Sequence, residues 1–194
     1  SSFSPGGSTY GSRIVAQHYC DAAIGDPLHG PYHDREYGFP IGDDNGLFAR
    51  LVLEINQAGL SWATILKKKD NFTTAYDGFD IATVAAYDED ARARLLADAG
   101  IIRNRFKINA AIENSRTLLD IQANAGSFKA WLDLHHPAEL ESWVKLFRAN
   151  FKFTGPEIVR EFLVSAGYLP GAHRVDCPVY AVVESLNPPW MWAQ

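Results

Sequence analysis

Two cysteines and a single methionine are all the sulfur in this chain of 194 residues. So few thiols cannot frame a disulfide scaffold, and their number suits a reducing compartment. No apolar run approaches the roughly 20 residues that a membrane-spanning helix needs, and no signal-peptide pattern is read ahead of the body. A cytoplasmic protein without membrane contact is expected. Positive charge is in short supply too. Eighteen Lys and Arg face 23 Asp and Glu, a net of −5, which excludes a generic nucleic-acid coat but not a local basic face. Strand-like alternation is nearly missing, as are internal repeats and, past the Ser- and Gly-rich first 12 residues, low-complexity blocks. What is present, 47% hydrophobic and 21% charged residues, is the balance of a globular domain with ample length for a core.

Residues 1–19 read as a flexible N-terminal arm, 20–180 as the globular body and 181–194 as a C-terminal tail, in which Asn187-Pro188-Pro189-Trp190 cannot continue a helix. Apolar residues in the body recur at helical spacing. Between Gly46 and Gly59, Leu47, Phe48, Leu51, Val52, Ile55 and Ala58 share one face. Asp88 is an N-cap candidate for a helix that stops before Gly100, and Arg105 to Ala123 predicts a longer one. Shorter helices are predicted over Phe128–Leu134 and Glu139–Phe147, and Pro156 opens a last one that closes at Gly167. The fold class is all-α.

The two cysteines each have a histidine nearby, as Cys20-x12-His33 and His173-x3-Cys177. Two thiols and two imidazoles fill a tetrahedral zinc site and leave no position open for water, which points to a structural clasp. Two ordinary buried cysteines with unrelated histidines are the alternative, since the gap between the pairs matches no finger or ribbon. Glu54 is the first residue that looks functional. It lies about 20° around the helix from Leu47 and within one turn of Leu51, at the border of the apolar stripe. A carboxylate there must find partners or lose its charge, unless it is simply a half-exposed residue of an amphipathic helix. Gln57-Ala58-Gly59-Leu60-Ser61-Trp62 then breaks the helix at Gly59, presents a leucine and restarts on a tryptophan. Such a turn beside a carboxylate can wedge into a base stack, hold a flat ring and read its polar edge.

Four blocks carry a family resemblance: Tyr32-His33-Asp34-Arg35-Glu36-Tyr37-Gly38-Phe39-Pro40, the run from Gln57 to Lys68, the run from Asp98 to Ile108, and Phe151-Lys152-Phe153-Thr154-Gly155-Pro156. They resemble, in order, the bacterial 3-methyladenine DNA glycosylase I family, across nearly the whole body. The resemblance implies a helix-hairpin-helix glycosylase fold and a structural zinc ion held by Cys20, His33, His173 and Cys177. It also implies a monofunctional enzyme that flips 3-methyladenine out of double-stranded DNA and hydrolyses its N-glycosidic bond, leaving an abasic site. Glu54 would be the catalytic and base-recognising carboxylate, Trp62 the stacking indole and Tyr32 a wall of the pocket, with Gly59 and Leu60 probing the vacated gap. Backbone contacts would fall to Lys67, Arg103, Arg105, Lys152 and Gly155, within a basic rim that also includes Lys68, Lys69 and Lys107. A monomer is expected.

Related enzymes that also cut the strand carry a lysine just past the hairpin glycine, where this chain has Glu157, so no lyase step is expected. Superfamily members often place a catalytic aspartate about nineteen positions later, which reaches Asp176, between two of the proposed zinc ligands. His29, Ala22, Asn150 and Tyr37 depart from the family pattern and bear on pocket shape. Two other readings stay open at this level: a noncatalytic reader of damaged DNA on the same scaffold, and a zinc hydrolase, which would need an open coordination position.

Overall fold

The structure, a computed structural model, describes residues 18–192 throughout and the backbone at 9–10 and 13–14. The rest of the expected N-terminal arm lies outside the described residues. A short antiparallel pair, β1 (Thr9–Tyr10) and β2 (Arg13–Ile14), precedes the helices. These are α1 (Tyr19–Ala23), α2 (His29–Arg35), α3 (Asp44–Gln57), α4 (Trp62–Ala75), α5 (Ile81–Ala85), α6 (Glu89–Ala97), α7 (Arg105–Ala125), α8 (Phe128–His135), α9 (Leu140–Asn150), α10 (Pro156–Ser165) and α11 (Pro178–Ser185). No helix among the described residues is long and apolar enough to cross a membrane. The all-α expectation holds.

Short polar side chains set where the helices begin. Asp43 accepts from the Gly46 amide at 2.9 Å to open α3, and Asp88 accepts from Ala91 at 2.9 Å to open α6, as its sequence position predicts. Ser61 and Asn104 do the same for α4 and α7. Asp44 reaches further. Its carboxylate accepts from the amides of Phe128 and Lys129 at 2.8 and 3.1 Å and from the Gln122 side chain at 2.7 Å. One acid thereby ties the start of α3 to the start of α8.

Helix α3 runs through the centre, packed by α4, α7, α8 and α10. Leu47, Phe48, Leu51 and Ile55 are sealed from water, as are Phe128, Phe147 and Phe162 on the far side. Each such side chain contributes about 1.5–3 kcal/mol of burial. Gly38 follows α2 at φ +84°, and a Cβ there would sit 2.6 Å from the Ala172 side chain. That glycine lets the end of α2 approach the segment that carries His173. Helix α11 crosses the expected body–tail boundary at 180/181. Beyond it the chain folds back: the Trp190 amide donates to Gly167 O at 3.1 Å, and the Trp192 ring packs edge-on against His136.

Candidate functional site

Three polar residues of α3 are buried on one stripe. Arg50, Glu54 and Gln57 follow at i, i+4 and i+7, and are 7, 0 and 3% exposed. The Arg50 guanidinium lies 5.3 Å from the Tyr32 ring centroid and donates to Ser165 O at 3.0 Å. Gln57 donates to Leu60 O at 3.1 Å. Glu54 therefore sits one turn past the Tyr32 contact and one turn before the loop that ends the helix. The Tyr32 and Trp62 rings meet at 5.1 Å between centroids and 56° between planes, and both are buried. At that separation the two rings are in contact with each other, and no flat ligand fits between them. A cleft of about 330 Å³ reaches Tyr32 from outside, lined also by Arg50, Leu53 and the Glu36–Lys69 ion pair at 2.5 Å.

The turn after α3 is built around Gly59, at φ +77°. The Leu60 amide donates to Gln57 O at 2.8 Å, while Gly59 stays exposed and Leu60 half-buried. From behind, Lys107 of α7 donates to Asn56 O at 2.7 Å and to Ala58 O at 2.6 Å, with only 4% of its surface exposed. Burial holds its pKa below the ordinary lysine range. Sequence reasoning set Lys107 on the basic rim; the structure instead places it inside, as the brace of this turn. Lys107→Met would leave both carbonyls without their donor. We expect a loss of about 3 kcal/mol, from two charge-assisted bonds at roughly 1.5–3 kcal/mol each with partial relief by water. A melt followed by circular dichroism should then shift down by roughly 6–12 °C. An unchanged melt would refute the brace.

Residues 151–155 join α9 to α10, and Asn114 of α7 grips that turn at both ends of one residue. It accepts from the Lys152 amide at 2.7 Å and donates to Lys152 O at 3.1 Å. Phe153 is held at φ +59°, a left-handed conformation that costs a bulky residue about 1–3 kcal/mol. Gly155 caps α10 without a side-chain bond, and Pro156 takes the first helical position. Lys67, Arg103, Arg105 and Lys152 are exposed, with no carboxylate in ion-pair range among the described residues. Lys68 and Lys69 are engaged by Ala99 O and Glu36. Asp176 is exposed and pairs with Arg174 at 3.1 Å.

The four Cys and His residues converge. Cys20 of α1, His33 of α2, His173 and Cys177, the N-cap of α11, are all buried, and their ligand atoms lie within 4.8 Å of one another. His33 Nδ1–H donates to Asp34 at 2.7 Å and His173 Nε2–H to Tyr37 O at 2.6 Å. Those partners turn the other nitrogen of each ring inward, where the two stand 3.1 Å apart. Burial pushes the Cys20 thiol up to about 11 and His173 down to about 4. Inward ring lone pairs beside two buried sulfurs are a donor set that a cation would complete, so the cluster could hold a metal ion.

The methyladenine glycosylase family profile matches residues 22–143. DNA-3-methyladenine glycosylase 1 of Escherichia coli K12 is 36% identical over 180 residues, covering 83% of this chain and 96% of the relative. A 3-methyladenine DNA glycosylase I from Staphylococcus aureus, solved to explain recognition of 3-methyladenine, superposes with TM-score 0.74 at 32% identity, covering 82% of this chain and 95% of that one. A Tyr→Phe variant of a 3-methyladenine DNA glycosylase I, solved in complex with 3-methyladenine, gives TM-score 0.73 at 31% identity over 82% of this chain and 96% of that one. With more than half its length matched by the profile and a relative covered almost end to end, this chain belongs to the methyladenine glycosylase family.

Proposed function

We propose that the chain is a monofunctional DNA glycosylase that hydrolyses the N-glycosidic bond of 3-methyladenine and leaves an abasic site. The observation that carries this reading is Glu54, a carboxylate with no exposed surface, one turn along α3 from the Arg50 that lies over the Tyr32 ring. Burying a carboxylate costs several kcal/mol, and an amphipathic helix gains nothing from it. A cationic ligand does. Methylation at N3 gives adenine a positive charge, which already makes it a good leaving group. When the bond breaks, its electron pair leaves with the base, which departs neutral, and water adds its hydroxyl to the sugar carbon and releases a proton to solvent. The protein has to supply extrusion and recognition more than acid. Extrusion costs a few kcal/mol. Stacking on Trp62 returns about 1–3 kcal/mol, and a charge-assisted bond to Glu54 about 1.5–3 kcal/mol. Plain adenine has no charge to match.

Tyr32 would form a wall of the pocket, and Gly59 with Leu60 would fill the gap left in the duplex, braced by Lys107. The turn at 151–155, with Gly155 and the first amides of α10, would serve as the hairpin of a helix-hairpin-helix element and hold a phosphate. Lys67, Arg103, Arg105 and Lys152 would extend that contact along double-stranded DNA. Glu157, exposed in the first turn of α10, gives no amine for a lyase step.

Zinc is the ion the Cys2His2 set suits best. A tetrahedron with Zn–N near 2.0–2.1 Å and Zn–S near 2.3 Å has edges of about 3.3–3.8 Å. Four of the six ligand-atom pairs stand 3.1, 3.7, 3.7 and 3.9 Å apart, and all six lie within 4.8 Å. All four positions would be filled by protein, so the ion would supply cross-linking and no chemistry. A monomeric cytoplasmic enzyme is the simplest setting.

The test is direct. Wild-type protein incubated with methylated duplex should release free 3-methyladenine and leave strands that break only after alkali. Binding without release would favour a noncatalytic reader of damaged DNA and defeat the enzymatic reading.

A further inference from the structure

Arg50 sits in the middle of α3 with 7% of its surface exposed, and neither base recognition nor the DNA contact gives it a task. Sealing a guanidinium away from water is costly, and an apolar side chain of similar length packs there at less expense. Three groups surround it. The guanidinium donates to Ser165 O at 3.0 Å, stands 4.0 Å from the Glu36 carboxylate and lies 5.3 Å from the centroid of the Tyr32 ring. The first two are served without it: Ser165 O also accepts from the Gly38 amide at 2.8 Å, and Glu36 pairs with Lys69 at 2.5 Å. The contact that calls for a flat cation is the third. Tyr32 needs such an anchor. Its helix, α2, spans seven residues and leans mainly on α1, so the ring is tied to the central helix through side chains. Arg50 supplies one of these ties, and its bond to the carbonyl of the last residue of α10 holds the guanidinium in place. That helix has no basic residue of its own in its last turn, where a cation is favoured.

We infer that Arg50 is a positioning residue for base excision, which holds the Tyr32 ring at one angle by linking it to the end of α10. The inference rests on the glycosylase reading and adds to it a residue that would touch neither base nor phosphate. Tyr32 and Trp62 are in ring contact at 5.1 Å, so a Tyr32 ring free to tilt would disturb the indole on which the base stacks. Arginine suits this task better than lysine, because its plane can lie against a ring while its N–H groups stay bonded. An arginine that only filled the core, or only capped α10, would stabilise the protein and leave the rate of the folded enzyme alone.

Single-turnover release of 3-methyladenine from methylated duplex gives the test, read as the rate at saturation and as the protein concentration that half-saturates the DNA. Arg50→Met, which keeps length and loses charge, should lower the rate roughly five- to thirty-fold and leave half-saturation where it was. Arg50→Lys should recover part of the rate. Over Tyr32→Leu, which has no ring to hold, Arg50→Met should cost nothing further. If Arg50→Met does not fold by circular dichroism, Arg50→Lys carries the same cycle, with a smaller loss in the parent and none over Tyr32→Leu. An unchanged rate, a change confined to half-saturation, or equal slowing in both backgrounds would each overturn the inference. Wild-type protein that releases no base would sink the glycosylase reading as well, whereas wild-type release matched by Arg50→Met sinks the inference alone.

Discussion

Glu54→Gln is expected to slow release of 3-methyladenine by roughly thirty- to a thousand-fold while leaving the fold as stable as before or more so. The substitution keeps volume and one acceptor oxygen but removes the charge. Its effect on the cationic base has two overlapping parts. A charge-assisted hydrogen bond weakens, worth about 1.5–3 kcal/mol, and a Coulomb attraction of about 4 kcal/mol at 4 Å in a protein-like dielectric disappears. A net loss of about 2–4 kcal/mol gives that range of rates. Stability moves the other way, because an ion in a site with no exposed surface carries a desolvation cost that a neutral amide does not. Single-turnover release from methylated duplex measures the first quantity and a thermal melt the second. A steep drop in melting temperature with release unaffected would make Glu54 a structural residue and remove the observation on which the function rests.

Much of this site can be read before any coordinates. Asp88 and Pro156 mark helix starts through chemistry that acts within one turn, and both are found where that chemistry puts them. Glu54 is legible from its angle to Leu47 and Leu51. Arg50 and Gln57 share that angle, yet nothing in their residue types asks for burial; only the packing of Tyr32 and Leu60 against α3 does. Lys107 shows the opposite failure. Its charge and its place in a basic motif suggest the rim, but on α7 it lines up with Ala111, Asn114 and Leu118 within about 40°. All four are buried, whereas Leu119, farther round the helix, is 38% exposed. The metal cluster is legible by residue type and not by spacing, because its two halves meet only through the end of α2 and the glycine that follows it. Asp176 is the converse case, a spacing match whose side chain is exposed and paired with Arg174.

The second large effect should come from the cluster itself. Cys177→Ser, or a strong chelator on the wild-type protein, is expected to lower the melting temperature by roughly 10–20 °C. Cys20 and His173 are 153 positions apart, and a cross-link closing a loop of that size is worth about 5 kcal/mol in chain entropy. A domain of this length shifts by roughly 2–4 °C for each kcal/mol. Chelator should do nothing further to the variant, and wild-type protein should carry about one zinc per chain where the variant carries none. The loss should also be felt at the base site. His173 donates to Tyr37 O at 2.6 Å, the Tyr37 ring lies 5.8 Å from Tyr32, and Tyr32 touches Trp62. His33 and Tyr32 are adjacent on α2, so the residue that would hold the ion and the residue that would form a wall of the pocket cannot move independently. Release by Cys177→Ser should therefore need more DNA to saturate, even at temperatures where circular dichroism shows it folded. A variant that melts and saturates like the parent, in protein that purifies without zinc, would reduce the cluster to four buried side chains that happen to meet.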